Sequence, residues 1–175
     1  MFVSLDAPRA CPSWLPPELA DFYSRHAAVE QDVPPDSDIN VLLFDLDEVT
    51  PATAEDVRDL RMAYEDDGAH QHFRGLKVVM VGSSVFGDEI IYVPPGSSIP
   101  CGVYTLGPDV SGPIDSPVQP SWMLRLAPSF HEWVERVGSR GYDFGLVPGE
   151  QLPPERRREF VRYFALLNPG IDWTP

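Results

Sequence analysis

The sequence predicts an α+β fold in which helices pack on one side of a mainly antiparallel sheet. Apolar segments of strand length follow one another between residues 76 and 106, separated by short turns. Amphipathic helix patterns lie before these strands, at residues 15–26, and after them, at residues 130–137. With 175 residues, 43% of them apolar, the chain has room for one packed domain.

The first predicted helix covers residues 15–26. Prolines lie near its start, Glu18 lies in its first turn, and its apolar residues share one face: Leu15, Leu19, Phe22 and Tyr23. Residues 1–14 show no periodicity, so an irregular segment is expected there. His26 is expected to be structural.

A strand is predicted at Ile39–Phe44 and a second helix soon after it. Thr50 or Thr53 caps this helix, Pro51 fits its first turn, and a buried face follows at Val57, Leu60 and Tyr64. The next strands are Leu76–Val81, whose continuous apolar run suits a central position, then Glu89–Val93 and Gly102–Leu106. Gly82–Asp88 is predicted as the turn between the first two of these three.

The clearest local signal begins at Ser129, directly after a strand end at Leu124–Ala127. Ser129 is suited to cap a helix, and Glu132 stands where a capping box needs a glutamate. The apolar face that follows is large enough to require docking on the strands: Phe130, Trp133, Val134 and Val137. A last helix is predicted at Pro153–Leu167, with an apolar stripe of Phe160, Val161, Phe164 and Leu167; its docking partner is left open.

Three of these segments resemble the SUKH superfamily, which groups yeast cell-wall-assembly regulators with bacterial toxin-immunity proteins. They are Leu15-Pro16 followed by a helix with Phe22 or Tyr23, the turn with Gly82, Gly87 and Asp88, and the helix that starts at Ser129-Phe130. The predicted strand at Ile39–Phe44 and the Leu46–Val49 segment after it also resemble a strand and a following Leu-x-x-Val segment of this superfamily. The resemblance covers residues 15–137, and residues 138–175 form a helical elaboration of the same single domain.

The resemblance implies a non-catalytic protein that binds a cognate toxin domain and neutralises it. Toxins of this kind are often nucleases or other enzymes acting on nucleic acid, which need a basic surface for their substrate. The resemblance also allows a regulatory or scaffold module without a toxin partner, as in the yeast member. An uncharacterised hydrolase is a third alternative.

Charge is distributed unevenly along the chain, which has a formal net charge of −14. Residues 1–124 contain 20 acidic and 6 basic residues, whereas residues 125–175 contain seven of each. This excess disfavours nucleic acid and anionic membranes as partners and attracts basic proteins. Solubility alone is the competing explanation.

The candidate partner-binding residues are three acidic clusters: Asp36 and Asp38; Asp45, Asp47 and Glu48; and Glu65, Asp66 and Asp67. We expect them to form a docking face for a basic partner, against the alternative of an ordinary solvated surface.

No catalytic, cofactor-binding or metal-binding residues are predicted. The segment from Gly82 to Gly87 is not G-x-S-x-G, and the lysine of a phosphate-binding loop is missing. His70 and His72 lack a third ligand at a recognised spacing. The N-terminus does not resemble a signal peptide, no apolar run reaches membrane-spanning length, and the two cysteines lack a disulfide pattern. A cytoplasmic protein with free thiols is expected.

Overall fold

A computed structural model describes residues 2–29, 41–52, 78–84, 89–97, 99–106, 123–140 and 154–169. The elements in these ranges are β1 (Phe2–Ser4), α1 (Pro17–Arg25), β2 (His26–Ala28), β3 (Val41–Leu43), β4 (Thr50–Ala52), β5 (Val78–Ser84), β6 (Glu89–Val93), β7 (Gly102–Leu106), β8 (Met123–Ala127), α2 (Phe130–Arg140) and α3 (Pro154–Leu167). The predicted helix at Val57–Tyr64, the His70–His72 segment, Gly87 and Asp88 lie outside these ranges.

The main sheet is antiparallel throughout its described pairings, with the strand order β3-β5-β6-β7-β8. The short strand β4 pairs with the first half of β5, and β3 pairs with its second half. Strands β5 to β8 form a meander in which neighbours in sequence are neighbours in the sheet. The predicted α+β class with a mainly antiparallel sheet is therefore confirmed.

One face of this sheet carries the main hydrophobic core. Val79, Tyr92, Val103 and Leu126 lie in it with side chains from all three described helices, and each is at most 3% exposed. Phe130 and Trp133 are 0% and 2% exposed, so the predicted docking of their helix on the strands is confirmed. Residues on the alternate face are buried too, among them Val78, Ile91, Val93 and Tyr104.

Helix α1 is buried through the face that its sequence predicts. Leu19, Phe22 and Tyr23 of this helix belong to the core cluster, together with Leu15, which lies two residues before its start. The Phe22 ring meets the Phe130 ring edge-on, with centroids 5.1 Å apart, so α1 and α2 are joined by direct aromatic contact.

The start of α2 is capped from two directions. Ser129 Oγ accepts a hydrogen bond from the backbone N of Glu132 at 3.1 Å, as predicted. The Glu132 carboxylate does not complete a capping box with Ser129 in the described contacts; it pairs with Arg136 at 2.7 Å. Glu18 of α1 supplies further acceptors: its Oε1 accepts from the backbone N of Phe130 at 2.9 Å, and its Oε2 accepts from the Tyr92 hydroxyl at 2.5 Å.

The expectation of an irregular segment at residues 1–14 is wrong at Phe2–Ser4 and confirmed for residues 5–14, which contain no helix or strand. Phe2–Ser4 forms β1 and pairs antiparallel with β2, with Val3 opposite Ala27. His26, predicted as the end of the first helix, is the first residue of β2. A three-residue strand has no periodicity to detect, and its partner lies more than twenty residues away in sequence.

Two predictions around β5 are also wrong. Thr50 and Pro51 do not start a helix, because they lie in β4 opposite Met80 and Val79; the alternative cap, Thr53, lies outside the described residues. Proline is tolerated in a strand at a sheet edge, where its missing N–H need not break a ladder. Gly82 is not in the turn, since β5 continues to Ser84, and Gly82 is not one of the described glycines with positive φ.

Helix α3 packs on the main sheet at β8, which settles its docking partner. Its Phe164 is 0% exposed and belongs to the same core cluster as the sheet residues. The Tyr163 hydroxyl donates to the carbonyl of Leu126 at 3.1 Å, and the Arg136 guanidinium stacks 3.7 Å from the centre of the Tyr163 ring. Helices α2 and α3 are thereby held beside each other against β8.

Candidate functional site

The most organised of the predicted acidic clusters is the connection between β3 and β4, residues 45–49, here called the acidic turn. The backbone N atoms of Glu48 and Val49 donate to the Asp45 carbonyl at 3.0 and 3.1 Å. The Glu48 side chain reaches back and accepts from the backbone N of Asp45 at 2.8 Å. This is the glutamate half of a capping box, so one helical turn is fixed by its own sequence.

Arg9, which lies outside the acidic turn, binds the carboxylate of Asp45. Its Nη1 and Nη2 donate to the two carboxylate oxygens of Asp45 at 3.1 and 2.5 Å. The same guanidinium donates through Nε to the Tyr23 carbonyl at 2.8 Å and through Nη2 to the His26 carbonyl at 2.9 Å. Four donated hydrogen bonds use the planar fork that distinguishes arginine from lysine. Arg9 therefore connects the end of α1, the start of β2 and the acidic turn.

The electrostatics of Asp45 follow from this arrangement. Its side chain is 26% exposed, and Oδ1 also accepts from the backbone N of Ala28 at 3.1 Å. The hydrogen bond from Arg9 is the main cause that lowers the pKa of the Asp45 carboxyl, against the opposing effect of burial. Asp45 is therefore an ionised structural anchor at neutral pH.

Both ends of the acidic turn are attached to the core. The Tyr23 hydroxyl donates to the Phe44 carbonyl at 3.1 Å, and the backbone N of Phe44 donates to the Val81 carbonyl at 3.2 Å. At the other end, Val49 is 4% exposed in the core cluster. Burial raises the pKa of the Tyr23 phenol well above its usual range, so Tyr23 acts as a neutral donor here.

The structure separates the predicted cluster of Asp45, Asp47 and Glu48 into different roles. Asp45 is engaged by Arg9, and Glu48 is exposed but also holds the backbone of the turn. Asp47 is exposed, and its side chain has no hydrogen bond or ion pair within the described ranges. The other predicted residues, Asp36, Asp38, Glu65, Asp66 and Asp67, lie outside the described residues.

Sequence reasoning missed Arg9, the residue on which this geometry depends. A signal was present, because Arg9 and Arg25 are the only lysine or arginine residues before Arg58. In so acidic a segment, an isolated arginine is a candidate partner for a carboxylate. Which carboxylate it meets, 36 residues later, is decided by tertiary packing.

Within the described ranges, no group of three or more His, Cys, Asp or Glu side chains is placed to hold a metal ion. No described helix is both long and apolar enough to cross a membrane. Cys11 and Cys101 are not joined in a disulfide.

No protein-family model, no curated protein and no solved structure matches this chain. The class defined by the structure is an α+β domain with a fixed acidic turn at one edge of its sheet.

Proposed function

We propose that this chain is a non-catalytic immunity protein of the SUKH type, acting in the cytoplasm, which binds and neutralises a basic cognate toxin domain. The observation that carries the proposal is the exposed carboxylate of Asp47 on a turn fixed by Arg9 and Asp45. The excess of acidic residues in the first two-thirds of the chain supports the same partner chemistry.

A fixed acidic turn is suited to binding because its shape is set before the partner arrives. The internal bonds of the turn and its two attachments to the core leave little backbone freedom to lose on association. Arg9 neutralises Asp45, so the outward negative charge of the turn comes from Asp47 and Glu48. Such charges raise the rate of association with a basic surface and disfavour binding to proteins whose surface is acidic.

A toxin that acts on nucleic acid fits this surface, because its active site must attract phosphates. An acidic protein bound there excludes the substrate by occupying the same basic surface. The inhibitor performs no bond chemistry in this mechanism, and its affinity is sensitive to salt.

The test is a titration of the purified protein against the toxin domain encoded beside its gene, with toxin activity measured in parallel. We expect binding at low salt, inhibition at a stoichiometric ratio and weaker binding as salt increases. Failure to bind at low salt would overturn the proposal.

A pair of charge-matched variants shows whether the acidic turn makes the contact. Asp47→Lys reverses an exposed charge on the turn, and we expect about tenfold weaker binding or more, corresponding to about 1.4 kcal/mol. Glu155→Lys makes the same change in net charge on α3, which packs on β8 at the other end of the sheet order. Equal effects of the two variants would show that net charge alone matters and that the turn is not the docking site.

A further inference from the structure

Among the described residues, two side chains at the C-terminal end of the α3 region occupy backbone groups at the β8 edge of the main sheet, and Asn168 makes the larger number of these contacts. Asn168 is 2% exposed. Its Oδ1 accepts from the backbone N of Arg125 at 2.7 Å, and its Nδ2 donates to the backbone carbonyl of Arg125 at 3.0 Å. One amide thus satisfies both outward-facing backbone groups of one residue, as a neighbouring strand would.

A β-bulge in β8 strengthens this closure. The pairing with β7 passes from Tyr104 opposite Arg125 to Val103 opposite Ala127, so Leu126 is an extra residue in β8. The Leu126 carbonyl accepts from the Tyr163 hydroxyl at 3.1 Å. The backbone of this edge is therefore occupied at two successive residues, both times by side chains of the α3 segment.

The Asn168 amide is itself held in place from α3. Its Nδ2 also donates to the Phe164 carbonyl at 3.2 Å, and the backbone N of Asn168 donates to the same carbonyl at 2.8 Å. Phe164 is fully buried in the core. The orientation of the amide is thus fixed by a residue that cannot move without disturbing the core.

We propose that Asn168 is an edge guard, which keeps β8 from pairing with β8 of a second copy of this chain. An uncovered strand edge is a template for pairing with another chain, and folded proteins protect such edges. The occupant that the guard excludes is a second copy, because an antiparallel pair of identical strands about a two-fold axis satisfies both edges at once.

The sequence of β8 permits this pairing in one particular register. Since Arg125 directs its backbone groups outward, strand alternation directs those of Met123 outward and those of Leu124 toward β7. When Leu124 lies opposite Leu124 of the second copy, Arg125 lies opposite Met123. Like charges do not meet in this register, and two apolar side chains are adjacent.

The test uses Asn168→Asp in the full chain, with Leu166→Asp as the matched control. A carboxylate at position 168 cannot donate to the Arg125 carbonyl and is costly to bury, so the guard should leave the edge. The control adds the same charge two residues away, at a side chain that is 77% exposed. Sedimentation is measured from about 1 μM to about 1 mM protein, the range in which uncovered edges associate.

We expect Asn168→Asp to self-associate with increasing concentration and Leu166→Asp to sediment as the natural chain does. In dilute Asn168→Asp, the Arg125 amide should exchange with solvent about tenfold faster or more than in the natural chain, and its protection should return on association. A folded Asn168→Asp that sediments as the natural chain does over the whole range would overturn the proposal. If Asn168→Asp does not fold, Asn168→Ala takes its place in the test. Protection of the Arg125 amide equal to that in the natural chain would then also overturn the proposal.

Discussion

The ion pair between Arg9 and Asp45 allows a quantitative test of how the acidic turn is held. In Asp45→Asn, the shape of the side chain and its acceptor for Ala28 are kept, but an amide NH₂ group faces an Arg9 donor. Exposed ion pairs contribute about 0–1 kcal/mol, whereas removing one partner of a buried pair costs about 3–5 kcal/mol. With side chains 28% and 26% exposed, this pair lies between these limits, and we expect a loss of about 2 kcal/mol.

The dependence of this loss on pH identifies its cause. Because the pKa of Asp45 is lowered in the folded protein, its contribution to stability is complete above the unfolded value of about 3.9 and is lost as pH falls through the folded value. Below that value, protonated Asp45 resembles the asparagine of the variant. The difference in unfolding free energy between natural chain and variant should therefore shrink toward zero in acid.

Urea unfolding at pH 7 and at a series of pH values down to about 2 measures both effects. At pH 7 we expect the midpoint of Asp45→Asn to fall by about 1 M, from about 2 kcal/mol at a slope of about 2 kcal/mol/M. Asp21→Asn is the control, because Asp21 forms an ion pair with Arg25 in which the two side chains are 70% and 57% exposed, respectively. The unfolding free energy of this variant should differ from that of the natural chain by less than about 0.5 kcal/mol. Equal effects of the two variants at pH 7, or a pH-independent effect of Asp45→Asn, would refute the reasoning.

Three further substitutions test contacts in β7 and at the start of α2 through unfolding free energies. Gly102→Ala should destabilise by about 3 kcal/mol or more, because its Cβ would lie 2.2 Å from the Ala127 carbonyl oxygen at a φ of +147°; a loss below 1 kcal/mol would contradict this. Thr105→Val should stabilise by about 1 kcal/mol, since the Thr105 hydroxyl is fully buried and has no hydrogen-bond partner in the described structure; a clear loss would show that the hydroxyl is satisfied. Glu18→Gln should destabilise by about 1–2 kcal/mol, as a neutral amide replaces the carboxylate that accepts from the backbone N of Phe130; an unchanged midpoint would show that Ser129 alone caps α2.

Elements whose signals are local could be predicted from the sequence. The helix after Ser129 combines a cap residue with an apolar face, and both signals lie within nine residues. Strands β6 and β7 have the predicted boundaries because apolar runs between turn residues mark both ends of each.

Features that depend on distant pairing could not be predicted. The sequence around Pro51 is typical of a helix start, and Pro51 belongs to a strand only because β5 lies beside it. The same holds for the site: the sequence shows that Asp45 is acidic, but not that Arg9 neutralises it. Likewise, nothing in the local sequence of Asn168 indicates its two bonds to Arg125, 43 residues earlier.

The most direct test of the central claim is the association rate constant with the toxin domain, measured as a function of ionic strength. If the acidic turn guides a basic partner, the rate constant should fall steeply as salt rises, and Asp47→Lys should lower it about tenfold at low salt. Glu155→Lys should have a much smaller effect. A rate constant that is independent of salt, or equal for the two variants, would contradict the account.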